Sequence, residues 1–334
     1  MTEEHALSIP VIDISTSNPA ASRELLAAAS THGFVYVENN HAGISPPLLD
    51  ELFALSKNFF ALPLDLKEQV AIKSNSAGDN VGWLKQGVEK LDPATQKKPD
   101  VKEALNISSP LAADQPLPGP LQPHKETIVR FQQACQQLCL RILSHFARAL
   151  SIEPDWFTSR HDQSAGKSGT ILRVLYYPAL HTALDASIDD IRAGAHSDYG
   201  SITLLFQLPG QPGLEIRAAD GSWVAVPVDP TNNLEVRKPL PILVNIGDLL
   251  EDWTTGLLKS TVHRVVFPTQ AKDAGDRYSI AYFCHPLDDV MLEPVPSKIV
   301  KERILEDNGP QGVISAREHL MKRLAATYSI DQKK

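Results

Sequence analysis

The sequence predicts a mixed α+β chain with an α-rich N-terminal region, a jelly-roll β core and a C-terminal helix. Three observations lead there. Up to about residue 150 the apolar residues recur at helical spacing. After Ser151 the pattern becomes short β-branched and aromatic runs broken by Gly and Pro, too closely spaced for the crossover helices of a doubly wound sheet. At the middle of that region, Ala195-His196-Ser197-Asp198-Tyr199-Gly200-Ser201-Ile202-Thr203 places a His-x-Asp pair at the edge of a strand-like run. The expected regions are 1–150, 151–290 and 291–334.

Bulk composition narrows the class. A chain of 334 residues, 43% hydrophobic and 22% charged, can bury a large core. A formal net charge of −8 argues against nucleic acid or an anionic membrane surface as the main partner, leaving a small molecule. No apolar run reaches membrane-spanning length, and Met1-Thr2-Glu3-Glu4 is unlike a signal peptide. Cys135, Cys139 and Cys284 are odd in number and fit no zinc spacing, so a reducing cytoplasm is the expected compartment.

In chain order, Ser8 to Asp13 reads as an edge strand carrying Pro10. Ala20 to His32 reads as a helix stopped by Gly33, and Gly33 to Val37 as a strand. A second helix starts after Ser45 with Pro46 or Pro47 in its first turn. Lys73 to Asn106 is polar and broken by Gly78, Gly82 and Gly87, so a long loop overhanging a pocket is expected. Ser109 to Pro123 carries five prolines and reads as a stiff connector. Lys125 to Leu150 is the longest amphipathic helix, with Cys135 and Cys139 in its apolar stripe. Strands are then expected at Ile171–Tyr177, Ser201–Phe206, Leu214–Arg217, Trp223–Val226, Ile242–Ile246, Val262–Phe267 and Arg277–Cys284. Ser315 to Tyr328 closes the chain as a helix packed on the outside.

The chemistry begins with His196 and Asp198. Residues i and i+2 of a strand share a face, so an imidazole and a carboxylate are presented together. His263, in the later run Ser260 to Val266, supplies a third ligand. Two histidines and one carboxylate form a facial triad that suits Fe(II) and leaves positions open. A catalytic zinc site also takes three protein ligands and a water. Arg277 and Ser279 favour iron, because a guanidinium fork and a hydroxyl on one strand face can grip the far carboxylate of a 2-oxo acid. The chain has 11 histidines, and a lone histidine is ordinarily structural. The other nine, including His161 and His285, have no carboxylate or strand context that sets them apart. Asn245-Ile246-Gly247-Asp248 reads as a turn with Gly247 at positive φ.

Over nearly its whole length, from about Ile9 to Tyr328, the sequence resembles the Fe(II)/2-oxoglutarate dioxygenases of the isopenicillin N synthase-like family. The resemblance rests on His196-x-Asp198, His263 and Arg277-x-Ser279, in order and spacing. Gly33-Phe34-Val35-Tyr36-Val37, Asp100-Val101-Lys102-Glu103, Leu172 to Pro178 and Asn245 to Leu250 add to it. It implies a double-stranded β-helix core, Fe(II), 2-oxoglutarate as cosubstrate and dioxygen. It also implies that Tyr177, just before Pro178, helps to hold 2-oxoglutarate; Leu175 stands where many plant members have Asn.

Within the family the chain is most similar to fungal thymine-dioxygenase-like members, through Asp198 to Gln207, Lys259 to Val266 and Arg277 to Cys284. That likeness implies a flat substrate between Tyr199 and Phe283, with Arg173 on its edge. Thr170 stands where the thymine type has Asn, which predicts a related but different ring compound. The expected reaction is oxidation of a C–H bond, most simply hydroxylation, with release of succinate and CO2. Two rivals remain: an iron oxidase of the same fold that uses no 2-oxoglutarate, and a catalytically silent ligand-binding protein.

Overall fold

The computed structural model describes residues 8–40, 42–72, 80–92, 95–179, 191–236, 238–267, 275–306 and 312–328. The expectations placed on Met1 to Glu4, His5, His41, Gly78 and His181 lie outside these residues. Among the described residues twelve strands and eight α-helices are formed. The first part of the chain gives β1 (Val11–Ile12), α1 (Ala21–Thr31), β2 (Phe34–Val37), α2 (Pro46–Phe60), α3 (Leu64–Glu68), β3 (Gly82–Leu84), β4 (Glu103–Ser108) and α4 (Lys125–Ala149). Then follow α5 (Trp156–Arg160), β5 (Ile171–Tyr177), β6 (Ile191–His196), β7 (Ile202–Gln207), β8 (Leu214–Arg217), β9 (Trp223–Ala225) and β10 (Ile242–Ile246). The chain closes with α6 (Asp248–Trp253), β11 (His263–Val266), β12 (Arg277–Cys284), α7 (Lys298–Glu306) and α8 (Ala316–Tyr328). Among the described residues no helix is long and apolar enough to cross a membrane.

The strands form two sheets. The larger runs β1-β2-β10-β7-β12-β5-β4-β3, and the smaller β6-β11-β8-β9. Pairing is antiparallel except between β1 and β2. Alternation along each strand sorts its side chains onto two faces. On β12, Ile280, Tyr282 and Cys284 enter the main core, which also takes the stripe Phe131, Cys135, Leu138, Ile142 and Phe146 of α4. The other face of the large sheet meets the small one through a second apolar cluster, including Phe34, Tyr36, Leu243, Ala193, Ile216 and Val265. On that face β12 presents Arg277, Ser279, Ala281 and Phe283 in sequence.

Two stretches differ from the sequence reading. Residues 73–106 do not form one long loop: β3 and β4 pair inside it and extend the large sheet beyond β5. Glu103 is buried there because Lys67 and the Trp83 indole both donate to it, at 2.7 and 3.0 Å, partners distant in sequence. The stretch does reach the cavity, through Asn80, Val81, Glu89 and Leu91. β6, also unforeseen, pairs with β11 so that His196 stands opposite His263.

Gly33 ends α1 at a φ of +69°, as expected of a helix stop. A Cβ here would lie 2.3 Å from the Lys259 carbonyl and 2.4 Å from Thr261 Oγ1. The segment 259–261 leads straight into His263, whose ring meets Phe34 edge-on at 5.6 Å. Gly33→Ala therefore combines left-handed strain with a backbone clash and should destabilise the protein by at least about 1–3 kcal/mol. Denaturant unfolding checks this; an unchanged midpoint would show that the α1–β2 turn can shift without cost.

Candidate active site

His196 ends β6, His263 begins β11 and Asp198 lies two residues beyond His196. Their potential ligand atoms all fall within 4.8 Å of one another, the one such His/Cys/Asp/Glu group found among the described residues. Each imidazole Nδ1 faces a backbone carbonyl, Gly194 at 2.7 Å for His196 and Thr261 at 3.1 Å for His263. A carbonyl only accepts, so each Nδ1 carries a proton and Nε2 is the nitrogen turned toward Asp198. Those Nε2 atoms sit 3.9 and 3.7 Å from Asp198 Oδ1.

Asp198 is held from behind. Thr203 Oγ1 and Asn245 Nδ2 both donate to Oδ2 at 2.6 Å, which leaves Oδ1 facing the imidazoles. Burial would raise this carboxyl, but His263, His196 and those two hydrogen bonds outweigh it and hold it below the usual range. Burial, followed by the neighbouring His263, pushes His196 down to about 3. A neutral imidazole beside an ionised carboxylate is the protonation state a divalent metal requires of its ligands. The donor set fits Fe(II) on that chemistry.

Asn245 is therefore a support for the candidate ligand Asp198 and not a turn residue. Gly247 also departs from expectation. Its φ of −101° is ordinary, and glycine is needed because a Cβ would lie 2.3 Å from the Gly200 carbonyl and 3.0 Å from that of Asp198.

The triad opens into a cavity of about 1560 Å³, its mouth included, that reaches Tyr177, Arg277 and Ser279. Arg277 lies on β12 directly opposite Tyr177 on β5, and its guanidinium sits 5.0 Å from that ring. It donates to Ser279 Oγ at 3.3 Å and to Gln207 Oε1 at 3.0 Å, while among the described residues its Nε has no partner. The residue is only 1% exposed; burial disfavours its charge, Tyr177 partly offsets this, and among the described residues no carboxylate pairs with it. A second buried guanidinium, Arg192, is pushed down to about 10 by burial and then by Arg277. Arg192 lies outside the cavity lining and has Asp276 near enough to favour its charge, so Arg277 is the buried cation that suits the carboxylate of a 2-oxo acid at this end of the cavity.

Arg173, Tyr199, Phe283 and Thr170 all line the same cavity. Arg173 is clamped: its Nη2 lies 2.5 Å from Glu89 Oε2, and Lys102 reaches Glu89 at 3.1 Å and Asp100 at 2.5 Å. Thr170 offers little, because its hydroxyl donates to the His285 carbonyl at 3.2 Å and accepts from the His285 N–H and Ser168 Oγ. His285 itself, which nothing in the sequence set apart from an ordinary structural histidine, lines the cavity and is pushed down to about 3 by burial, with His319 adding to the effect. Gln207, Asn245, Arg192, Glu89 and Lys102 were likewise missed. Their positions are set by packing against residues distant in sequence; the runs around Lys102, Asn245 and Gln207 belong to the resemblance but gave no role to these residues.

This is the layout of a non-haem iron oxygenase, and comparison with known proteins agrees. Residues 168–286 match the family described as 2OG-Fe(II) oxygenase superfamily. Residues 9–128 match the N-terminal region described as non-haem dioxygenase in morphine synthesis. The chain is 36% identical to the UPF0676 protein of Schizosaccharomyces pombe, over 87% of this chain and 85% of that one. It is 31% identical to proline hydroxylase buaE of Petromyces alliaceus, over 92% and 93%. Neurospora crassa thymine-7-hydroxylase in complex with alpha-KG and thymine superposes with a TM-score of 0.80 at 31% identity, covering 97% of this chain and 98% of that one. The chain belongs to the 2OG-Fe(II) oxygenase superfamily. It is a 2-oxoglutarate-dependent dioxygenase that uses Fe(II), 2-oxoglutarate and dioxygen.

The support behind Asp198 yields a prediction. Asn245→Ala removes one of two donors to Oδ2 without touching the candidate ligand atoms. Fe(II) affinity should fall about 10- to 100-fold, the usual cost of losing such a partner, with the fold retained. Anaerobic Fe(II) titration reads this directly, and unchanged affinity would mean that Thr203 alone holds the carboxylate.

Proposed function

We propose that the protein hydroxylates an unactivated C–H bond of a small, neutral, ring-containing molecule while 2-oxoglutarate is converted to succinate and CO2. In this reading His196 Nε2, Asp198 Oδ1 and His263 Nε2 hold the iron. Arg277, Ser279 and Tyr177 hold the far carboxylate of 2-oxoglutarate, and the two facing sheets are a double-stranded β-helix. When bound, iron and cosubstrate supply the oxidising power. The observation that carries the proposal is Arg277, a buried guanidinium that among the described residues has an unpartnered Nε and no acid paired with it, in the cavity that the triad opens into.

The protein's own task is to orient and to exclude water. Asp198 stays ionised and His196 neutral, so neither ligand must lose a proton when metal arrives. The remaining wall bears on the substrate. Arg173 and Lys102 are matched by Glu89 and Asp100, so among the described residues that wall offers hydrogen bonds and little net charge. Tyr199 and Phe283 add aromatic faces, each stacked pair contributing roughly 0.5–1.5 kcal/mol beyond area burial. The relatives named proline hydroxylase and thymine-7-hydroxylase, by their names, act on small ring compounds, which supports the same class.

The test is anaerobic addition of Fe(II) and 2-oxoglutarate, watched for a metal-to-ligand charge-transfer band, then a substrate screen in air read as succinate. Consumption of dioxygen with a substrate but without succinate would favour the oxidase alternative.

Arg277→Lys keeps a charge but loses the planar fork. KM for 2-oxoglutarate should rise at least about tenfold, the loss of one charge-assisted hydrogen bond, while Fe(II) affinity stays within twofold or so. Steady-state kinetics against 2-oxoglutarate checks it; an unchanged KM places the anchor elsewhere. For the substrate, neutral rings bearing an amide edge should be turned over better than anionic acids of the same size. Thymine should be poor with wild type, because the Thr170 hydroxyl is already occupied, and improved by Thr170→Asn. Efficient thymine oxidation by wild type would refute the role given to Thr170.

A further inference from the structure

Asp248 stands at the start of α6, and its carboxylate meets three segments far apart in the chain. Ser260 donates to Oδ1 at 2.7 Å, and Ser197 donates to Oδ2 at 3.1 Å. The Arg323 guanidinium, from α8, pairs with Oδ2. The Asp248 N–H donates to the Asp198 carbonyl at 2.7 Å. Ser197 lies between His196 and Asp198, and Ser260 lies three residues before His263. One side chain thus touches both loops that present the triad.

The third partner belongs to the wall of the cavity. α8 contributes Arg317, Leu320 and Leu324 to the lining, so the closing helix is not merely an external ornament, as its sequence suggested. From the same helix Arg323 also donates to Ser197 Oγ at 3.2 Å and lies 5.3 Å over the Tyr199 ring. An isolated ion pair with Arg323 42% exposed would contribute little. Here the pair is one edge of a network that a shift of α8 would break at three points.

We propose that Asp248 is a positioning residue that couples the seating of the C-terminal helix over the cavity to the arrangement of both metal-binding loops. Metal capture and helix closure then reinforce one another, and by linkage the effect is reciprocal. The proposal rests on the reading of His196, Asp198 and His263 as iron ligands. It extends that reading to residues that touch neither iron nor cosubstrate.

Hydrogen exchange followed by mass spectrometry tests it, on the full chain, with and without Fe(II) under anaerobic conditions, beside an Fe(II) titration. In wild type, Fe(II) should slow exchange across residues 316–328 as local opening of α8 is suppressed. Asp248→Asn keeps the shape but loses the charge; it should abolish that metal-dependent protection and weaken Fe(II) binding about 10-fold or more. Arg323→Ala should also abolish the protection, and weaken Fe(II) binding about 2- to 5-fold, the range of a partly exposed pair. A purely structural role would lower α8 protection equally with and without metal, and that result overturns the coupling. So does wild type that binds Fe(II) tightly with no change in α8. Wild type that fails to bind Fe(II) overturns the underlying iron reading instead. Should Asp248→Asn fail to fold, Arg323→Ala decides alone: retained metal-dependent protection refutes the proposal, and its loss with weakened Fe(II) binding supports it.

Discussion

A buried carboxylate must find hydrogen bonds or opposing charge, and the way Asp198 satisfies that demand organises the molecule. Its outer oxygen is held by Thr203 on β7 and Asn245 on β10, both strands of the large sheet. Its inner oxygen faces His196 and His263, on β6 and β11 of the small sheet. The triad is therefore assembled across the gap between the sheets, and its geometry follows their separation. The apolar cluster of Phe34, Leu243, Ala193 and Val265 fixes that separation. Packing and metal chemistry depend on each other here: a loosened inter-sheet core would move Asp198 away from the imidazoles before it unfolded anything.

The cavity wall then divides by charge. One part carries Arg277, buried and, among the described residues, without a carboxylate in an ion pair with it; Arg192 lies nearby outside the lining, its charge favoured by Asp276. Another carries Lys102 and Arg173 matched closely by Glu89 and Asp100. Burial weakens Lys102's charge, but Asp100 and Glu89 more than restore it, so the wall stays ionic yet balanced. Leaving one cationic group open and the other closed directs a dianionic cosubstrate to its place and leaves the rest for a molecule recognised by shape and hydrogen bonds.

Much of this was legible in the chain. Arg277 and Ser279 stand on a strand whose alternating pattern fixes their shared face, and His263 begins another; His196 ends β6 with Asp198 just beyond it, and such two-residue spacing is a local property. The helical stripe of α4 was legible for the same reason, and burial of Cys135 and Cys139 in it raises their thiols and leaves them inert. What escaped notice has non-local causes. β6 has little hydrophobic alternation and exists because β11 pairs with it. β3 and β4 lie in a polar stretch because Lys67 and Trp83 satisfy Glu103 from positions 36 and 20 residues away.

The four residues Asn245, Ile246, Gly247 and Asp248 show why local reading stops where it does. Taken alone, Asn, Gly and Asp in so short a run are the composition of a turn. In the fold each answers a different demand at one place. Asn245 donates to the Asp198 carboxylate, and Gly247 lacks a side chain so that the Asp198–Gly200 backbone can pass against it. Asp248 collects Ser197, Ser260 and Arg323. Ile246 keeps the run in register, paired with Ile202 at the start of β7. None of these partners lies within ten residues of the run, so no window on the sequence could have separated a turn from a support. The converse also holds: a strand that ends in such polar residues against a His-x-Asp loop has little freedom to change, because each substitution leaves a different buried group without its partner.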